Sequence, residues 1–138
     1  MTHYITQLST PSIDTYRMLR VGAGLSPKMA AAAAKGLPNT LFAVQVLHEG
    51  APVGMGRVIG DGGCFFQVVD IAVLPAHQGQ GLGKTIMREI MAYIERDVPD
   101  SGYVSLIADG KAQALYAQFG FVPTAPASIG MAYRRAPA

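Results

Sequence analysis

Glycine recurs at every second position in the run Gln78-Gly79-Gln80-Gly81-Leu82-Gly83-Lys84. A run of this kind can bind phosphate. Glycines let the backbone turn sharply and leave its N–H groups uncovered, and the first turn of a following helix adds free N–H groups and the positive end of a helix dipole. Lys84 could add a charge contact. Tyr116 carries a phenol with an ordinary pKa of about 10, protonated at neutral pH and able to donate to a leaving anion. Asp70 interrupts the apolar run Val68-Val69-Asp70-Ile71-Ala72-Val73-Leu74, where a carboxylate needs either a partner, such as Arg57 across a sheet, or a chemical task. Asp109 and His77 could also accept a proton, although Asp109 could equally cap a helix and His77 sits on a turn expected to face solvent. Cys64, beside a Gly-Gly turn, is a poor nucleophile. Together these residues describe a grip on a phosphorylated cofactor, a proton donor and several candidate acceptors.

The elements that must position them can be read from periodicity and breakers. Tyr4 to Leu8 alternates as a first strand, and Ser12 or Asp14 can cap a helix running to about Leu19 or Val21. Ser26-Pro27 has the look of a second helix start, with Lys28 to Lys35 helical until Gly36 and Pro38. Thr40 to Leu47, Pro52 to Ile59 and Cys64 to Leu74 read as strands, the last two joined by Asp61-Gly62-Gly63. After the glycine run, Leu82, Ile86, Met87, Ile90, Met91 and Ile94 form one helical stripe. Tyr103 to Ala108 is a strand, Lys111 to Phe119 a short helix with Ala112, Leu115, Tyr116 and Phe119 along one side, and Met131 to Arg135 a closing strand. The order β-α-α-β-β-β-α-β-α-β predicts a single α/β domain over residues 1–138.

Three phosphate-binding patterns compete for residues 78–84. The dinucleotide pattern G-x-G-x-x-G takes Gly79 and Gly81 but needs a third glycine where Lys84 stands. The P-loop G-x-x-x-x-G-K-[ST] ends well on Gly83-Lys84-Thr85, but its first glycine falls on Gln78. The pattern Q/R-x-x-G-x-G/A is matched throughout by Gln78-Gly79-Gln80-Gly81-Leu82-Gly83. It is the acyl-CoA pyrophosphate loop of the GCN5-related N-acetyltransferases (GNAT), and the chain resembles that family. The block Ala112-Gln113-Ala114-Leu115-Tyr116-Ala117-Gln118-Phe119-Gly120-Phe121 resembles the family's Tyr helix and its Gly-Phe pair, and Ile129-Gly130-Met131-Ala132-Tyr133 looks like the last strand of an aralkylamine-type subgroup. Many members place Asn where this chain has Asp109, so a contact needing an amide donor there does not carry over.

The resemblance implies a GNAT-like fold with a mixed, mostly antiparallel sheet flanked by helices, and acetyl-CoA as cosubstrate without a metal. It implies that Gln78, Gly79, Gln80, Gly81, Leu82, Gly83 and Lys84 hold the pyrophosphate. The backbone of Ile71, Ala72 and Val73 would pair with the pantetheine arm like an added strand, with the N–H of Val73 or Ala72 on the thioester oxygen. Asp109 and Tyr116 would also border the cofactor, and Tyr116 would be the general acid. Asp70, Asp109 or a water chain would serve as base. The acceptor side would include Tyr16, Leu19, Leu25, Met29 and Met55, apolar residues suited to a small, aromatic or hydrophobic primary amine, or else to core and dimer contacts. A non-catalytic acyl-CoA-binding module of the same fold, a peptide or protein acetyltransferase, and a small P-loop nucleotide-binding protein are the competing readings.

Composition narrows the field. At 138 residues the chain is the size of one domain, and its single Cys64 excludes an intrachain disulfide. Charged residues are 14% of the chain, against about 25% in typical globular domains, a shortage that suggests a surface covered by a second copy in a homodimer. A net charge of +2 without a basic run gives no argument for nucleic acid as a partner. No apolar stretch is long enough for a membrane span, no signal peptide is visible, and His and Cys lack metal-ligand spacing. A soluble cytoplasmic domain is expected.

Overall fold

The computed structural model describes residues 3–135. Within the chain, contacts divide it into one compact unit that runs up to Leu106 and a second that begins at Ile107. The first holds a five-stranded sheet in the order β1-β2-β3-β4-β5. Its strands are β1 (Tyr4–Gln7), β2 (Phe42–His48), β3 (Ala51–Gly60), β4 (Phe65–Val73) and β5 (Tyr103–Leu106), and its helices are α1 (Ile13–Gly22), α2 (Ala30–Gly36) and α3 (Leu82–Asp97). β1 to β4 are antiparallel neighbours and only β4–β5 is parallel. The mixed, mostly antiparallel sheet is the one the resemblance implies.

Strand alternation puts the helices on opposite faces. Met55 of β3 belongs to the core cluster of Tyr16, Leu19, Ala33, Leu37 and Ala72 under α1 and α2. Its neighbours Gly54 and Gly56 face α3 instead. A Cβ on Gly56 would lie 2.6 Å from Ile86 Cγ2 and 2.7 Å from Ile71 Cδ1, so the missing side chain lets α3 seat directly on the strand. Leu82, Ile86, Met87 and Ile90 are buried as their stripe predicts, and Tyr93 joins them, stacked on Phe42 with ring centroids 4.9 Å apart. Met91 and Ile94 are only half-buried.

Local chemistry explains the ends of elements. Ser12 caps α1, its hydroxyl accepting from the Thr15 N–H at 3.1 Å. Between β3 and β4, Asp61 Oδ1 accepts from the N–H groups of Gly63, Cys64 and Phe65 at 2.8–3.1 Å. Those bonds lower its pKa below the ordinary carboxylate value. The second helix starts later than Ser26-Pro27 suggests, with Met29 at its N-cap and no side-chain cap.

Among the described residues, the second unit contains one helix, α4 (Ala112–Ala117). The closing strand expected at Met131 to Arg135 is not formed: residues 121–135 contain turns but no helix or strand. A strand is stable only when its N–H and C=O groups find a ladder, and this segment has no register with any strand among the described residues. Its apolar members Ile129, Met131 and Tyr133 are exposed.

Candidate active site

Glycine is required where the loop turns. Gly79 and Gly81 have φ of 79° and 80°, in the left-handed region that other residues avoid. A Cβ at either would meet no atom within 4 Å. These positions therefore face open space, and the two glycines serve conformation and access rather than tight packing. Gly81 is the N-cap of α3, and no side chain caps that helix. The first intrahelical bond runs from the Thr85 N–H to the Gly81 carbonyl at 3.1 Å, which leaves the N–H groups of Leu82, Gly83 and Lys84 without helical acceptors. Gly83 lies inside α3 and has no positive φ. Helix geometry does not demand glycine there. Lys84 is exposed, and no acidic residue sits in the first turn. Open amides, an uncapped helix start and an adjacent lysine form an anion cradle.

The cradle is tied to the strand before it. The Gln78 side-chain amide donates to the Val73 carbonyl at 2.9 Å. Gln78 thus acts on the loop's position, a role its place in the sequence pattern does not reveal. Before the cradle, His77 Nδ1 lies 2.9 Å from the Tyr4 hydroxyl, which joins this turn to β1 rather than leaving the imidazole loose in solvent. β4 itself has a half-open edge. Its parallel pairing with β5 covers Phe65 to Val68 and stops at the Val68–Leu106 pair. Val69 to Val73, including Ile71, Ala72 and Val73, have no ladder partner on that side among the described residues, so their outward N–H and C=O groups can take an extended ligand.

Asp70 lies at a β-bulge. Met55 pairs with Ala72 and Arg57 with Val69, so Gly56 alone opposes both Asp70 and Ile71. Asp70 has φ of 60°, unusual for a residue with a side chain. The carboxylate is buried, with 5% side-chain exposure, and accepts from Arg20 Nη1 at 2.6 Å and Arg57 Nη1 at 3.1 Å. The Tyr16 hydroxyl donates to it at 3.0 Å. Both of its oxygens are engaged by cationic or hydroxyl donors, the surroundings of a carboxylate kept as an ion-pair partner rather than freed to take a proton from a substrate. Burial, then the Asp70 charge, raises the Tyr16 pKa above its ordinary 10.0. Arg20 was not legible as part of this group, although Tyr16 and Arg20 stand four residues apart on α1 and so share a face.

Of the acceptor-side candidates, Leu19 and Met55 are fully buried, Tyr16 belongs to the same core cluster, and Leu25 packs against it. Met29 is exposed. In the second unit, Tyr116 is buried, and burial followed by the charge of Asp109 raises its pKa above 10.0. Asp109 is exposed. Its carbonyl, not its carboxylate, accepts from the Ala112 N–H, and Lys111 is the N-cap of α4.

A family model described as an acetyltransferase (GNAT) domain matches residues 39–123. A probable acetyltransferase of unknown function from meticillin-resistant Staphylococcus aureus is 50% identical in sequence and superposes with a TM-score of 0.92, over 96% of this chain and all of that one. A GNAT-family acetyltransferase of Streptococcus pneumoniae shares the fold, with TM-score 0.79 at 22% identity over 96% of this chain and 98% of the other. Serotonin N-acetyltransferase 2, chloroplastic, from rice (Oryza sativa subsp. japonica) is 34% identical over 88 residues, 62% of this chain and 42% of that protein. GCN5-related N-acetyltransferase 2, chloroplastic, from Arabidopsis thaliana is 36% identical over 70 residues, half of this chain and 26% of that protein. The chain thus matches less than half the length of these plant relatives.

Proposed function

Since the chain belongs to the GCN5-related N-acetyltransferase family, we propose that it transfers an acetyl group from acetyl-CoA to the primary amine of a small molecule, by direct attack of the amine on the thioester. The observation that carries this reading is the cradle at Gly79–Lys84, open above its left-handed glycines and uncapped at the start of α3, next to a β4 edge that has no partner beyond Val68 among the described residues.

Acetyl-CoA, when bound, supplies an activated acyl group with a thiol as leaving group. The residues of this chain do the rest. Amides of the loop and of the first turn of α3 hold the pyrophosphate, with Lys84 adding charge. Backbone groups of Ile71, Ala72 and Val73 hold the pantetheine arm, and an N–H of Ala72 or Val73 is available to stabilise negative charge on the carbonyl oxygen. Tyr116 keeps its proton at neutral pH, because burial favours the uncharged phenol, and can donate it to the departing thiolate. Asp70 is committed to Arg20 and Arg57, which leaves Asp109 or a water relay to take the amine proton. The match to a serotonin N-acetyltransferase supports a small amine as acceptor, and the low charged fraction of 14% supports a homodimer.

A thermal melt with acetyl-CoA, free CoA or ATP-magnesium tests the cofactor. A ligand at about a hundred times its Kd adds roughly 2.7 kcal/mol of stability. Stabilisation by both CoA species and not by ATP is expected, followed by thiol release with a panel of primary amines. CoA binding without thiol release from any amine would instead favour a non-catalytic acyl-CoA-binding module.

A further inference from the structure

We propose that Arg20 is a positioning residue: it fixes the connection between α1 and α2 against the end of β4, and so sets how an acceptor meets the thioester. The proposal rests on the acetyltransferase reading. Arg20 is buried, with 10% side-chain exposure, and all three nitrogens of its guanidinium are bonded. Nη1 donates to Asp70 Oδ1 on β4 at 2.6 Å. Nε donates to the Ser26 carbonyl at 2.8 Å, and Nη2 to the Ser26 hydroxyl at 3.0 Å. One planar fork thus joins the α1–α2 connection to the strand assigned to the pantetheine arm.

Neutralising Asp70 does not require this residue. Arg57 of β3 already meets the other carboxylate oxygen at 3.1 Å, one cation for one anion, and that link stays within the sheet. Arg20 is a second buried cation, which is costly; what it adds is the tie to Ser26. The tie lies where α1 comes closest to the end of the strand. A Cβ on Gly22 would lie 2.7 Å from Leu74 Cδ2, so the last turn of α1 rests on the residue that follows Val73. Beyond it, Gly24 turns the chain with φ of 88°. The Leu25 N–H donates to the Arg20 carbonyl at 2.8 Å, and the Leu25 side chain packs against the core cluster that includes Ala72. The connection is thereby held beside the end of β4, where the N–H of Ala72 or Val73 would take the thioester oxygen. An amine reaching that carbonyl from the α1 face meets this connection, and a shift of about 1 Å in such a wall can cost about a hundredfold in rate.

Arg20→Lys tests the tie, because lysine keeps the charge beside Asp70 but cannot offer a rigid fork to two further acceptors. Amine-dependent turnover, measured well below the melting temperature, should fall at least tenfold, while the Kd for acetyl-CoA changes less than twofold. Arg17→Ala is the control. Arg17 Nε donates to the Lys28 carbonyl at 3.0 Å, so this variant loosens the same connection without touching β4, and its kcat should stay within twofold of wild type. Normal turnover in Arg20→Lys, an equal loss in Arg17→Ala, or an equal loss of acetyl-CoA affinity overturns the proposal. Hydrogen exchange gives a readout that needs no turnover. Bound CoA should slow exchange at the amides of Ala23 to Ser26 at least threefold in wild type and leave it unchanged in Arg20→Lys. The same slowing in both proteins, or none in wild type, overturns the tie. Slowing in wild type alone, without thiol release from any amine, would leave the tie standing and remove the acetyltransferase reading. Amine-dependent thiol release without slowing would do the reverse.

Discussion

The side-chain amide of Gln78 is bonded to the carbonyl of Val73, five residues earlier, at 2.9 Å. One bond therefore fixes the distance between the end of β4 and the start of the glycine loop, the two segments expected to hold the two ends of one extended cofactor. Gln78→Ala should loosen that spacing. A lost hydrogen bond of this kind is worth about 1 kcal/mol, so the melting temperature of the free protein should fall by a few degrees, and the Kd for acetyl-CoA should rise as the two segments lose their fixed spacing. Titration calorimetry beside a thermal melt checks both.

The two kinds of glycine in the loop should respond in opposite ways. Gly81→Ala forces a side chain into left-handed backbone, costing about 1–2 kcal/mol, and should lower both stability and cofactor affinity. Gly83→Ala sits in helix, where alanine is favoured by up to about 1 kcal/mol, and should raise the melting temperature while weakening acetyl-CoA at least tenfold. A Gly83→Ala protein that is more stable and binds normally would remove Gly83 from the cradle.

Tyr116→Phe should lower turnover tenfold or more and leave acetyl-CoA affinity nearly intact. The acid form of Tyr116 persists up to a pKa raised above 10.0 by burial and by Asp109. Well below pH 10 the phenol therefore remains mostly protonated, and any fall in rate between pH 7 and 9 must come from another group. Comparing the pH profiles of wild type and Tyr116→Phe tests this; an alkaline limb below pH 9 that disappears in the variant would contradict it.

Asp70→Asn distinguishes an ion-pair partner from a base. Removing the charge leaves Arg20 and Arg57 facing each other in a buried site, a loss of about 3–5 kcal/mol. Urea unfolding should show it directly. A variant with normal stability and abolished turnover would restore Asp70 as the catalytic base.

Reading along the chain reaches some of this and misses the rest for physical reasons. β2, β3 and β4 show in their apolar runs, and the glycine loop shows because a left-handed turn leaves few alternatives at Gly79 and Gly81. Tyr93 was missed although it stands three residues after Ile90 and seven after Ile86 on the buried stripe, because a tyrosine with its polar hydroxyl is a weaker sign of burial than an aliphatic side chain. Arg20 escaped because an arginine on an amphipathic helix ordinarily faces water; only the carboxylate on β4 gives it a reason to be buried. The closing strand at Met131 to Arg135 failed because apolar residues signal a wish to be covered, not the ladder that would cover them.

The bulge at Asp70 carries a last consequence. With Asp70 left out of the count, Ile71 falls opposite Gly56, Ala72 opposite Met55 and Val69 opposite Arg57, a ladder with no irregularity and every apolar residue still on its own face. The hydrophobic scaffold is indifferent to this residue; β4 carries it as cargo. A chain with Asp70 deleted, and with Arg20 and Arg57 exchanged for methionines, should keep its sheet. The polar machinery between α1 and β4 can thus be exchanged as a unit without redrawing the core beneath it.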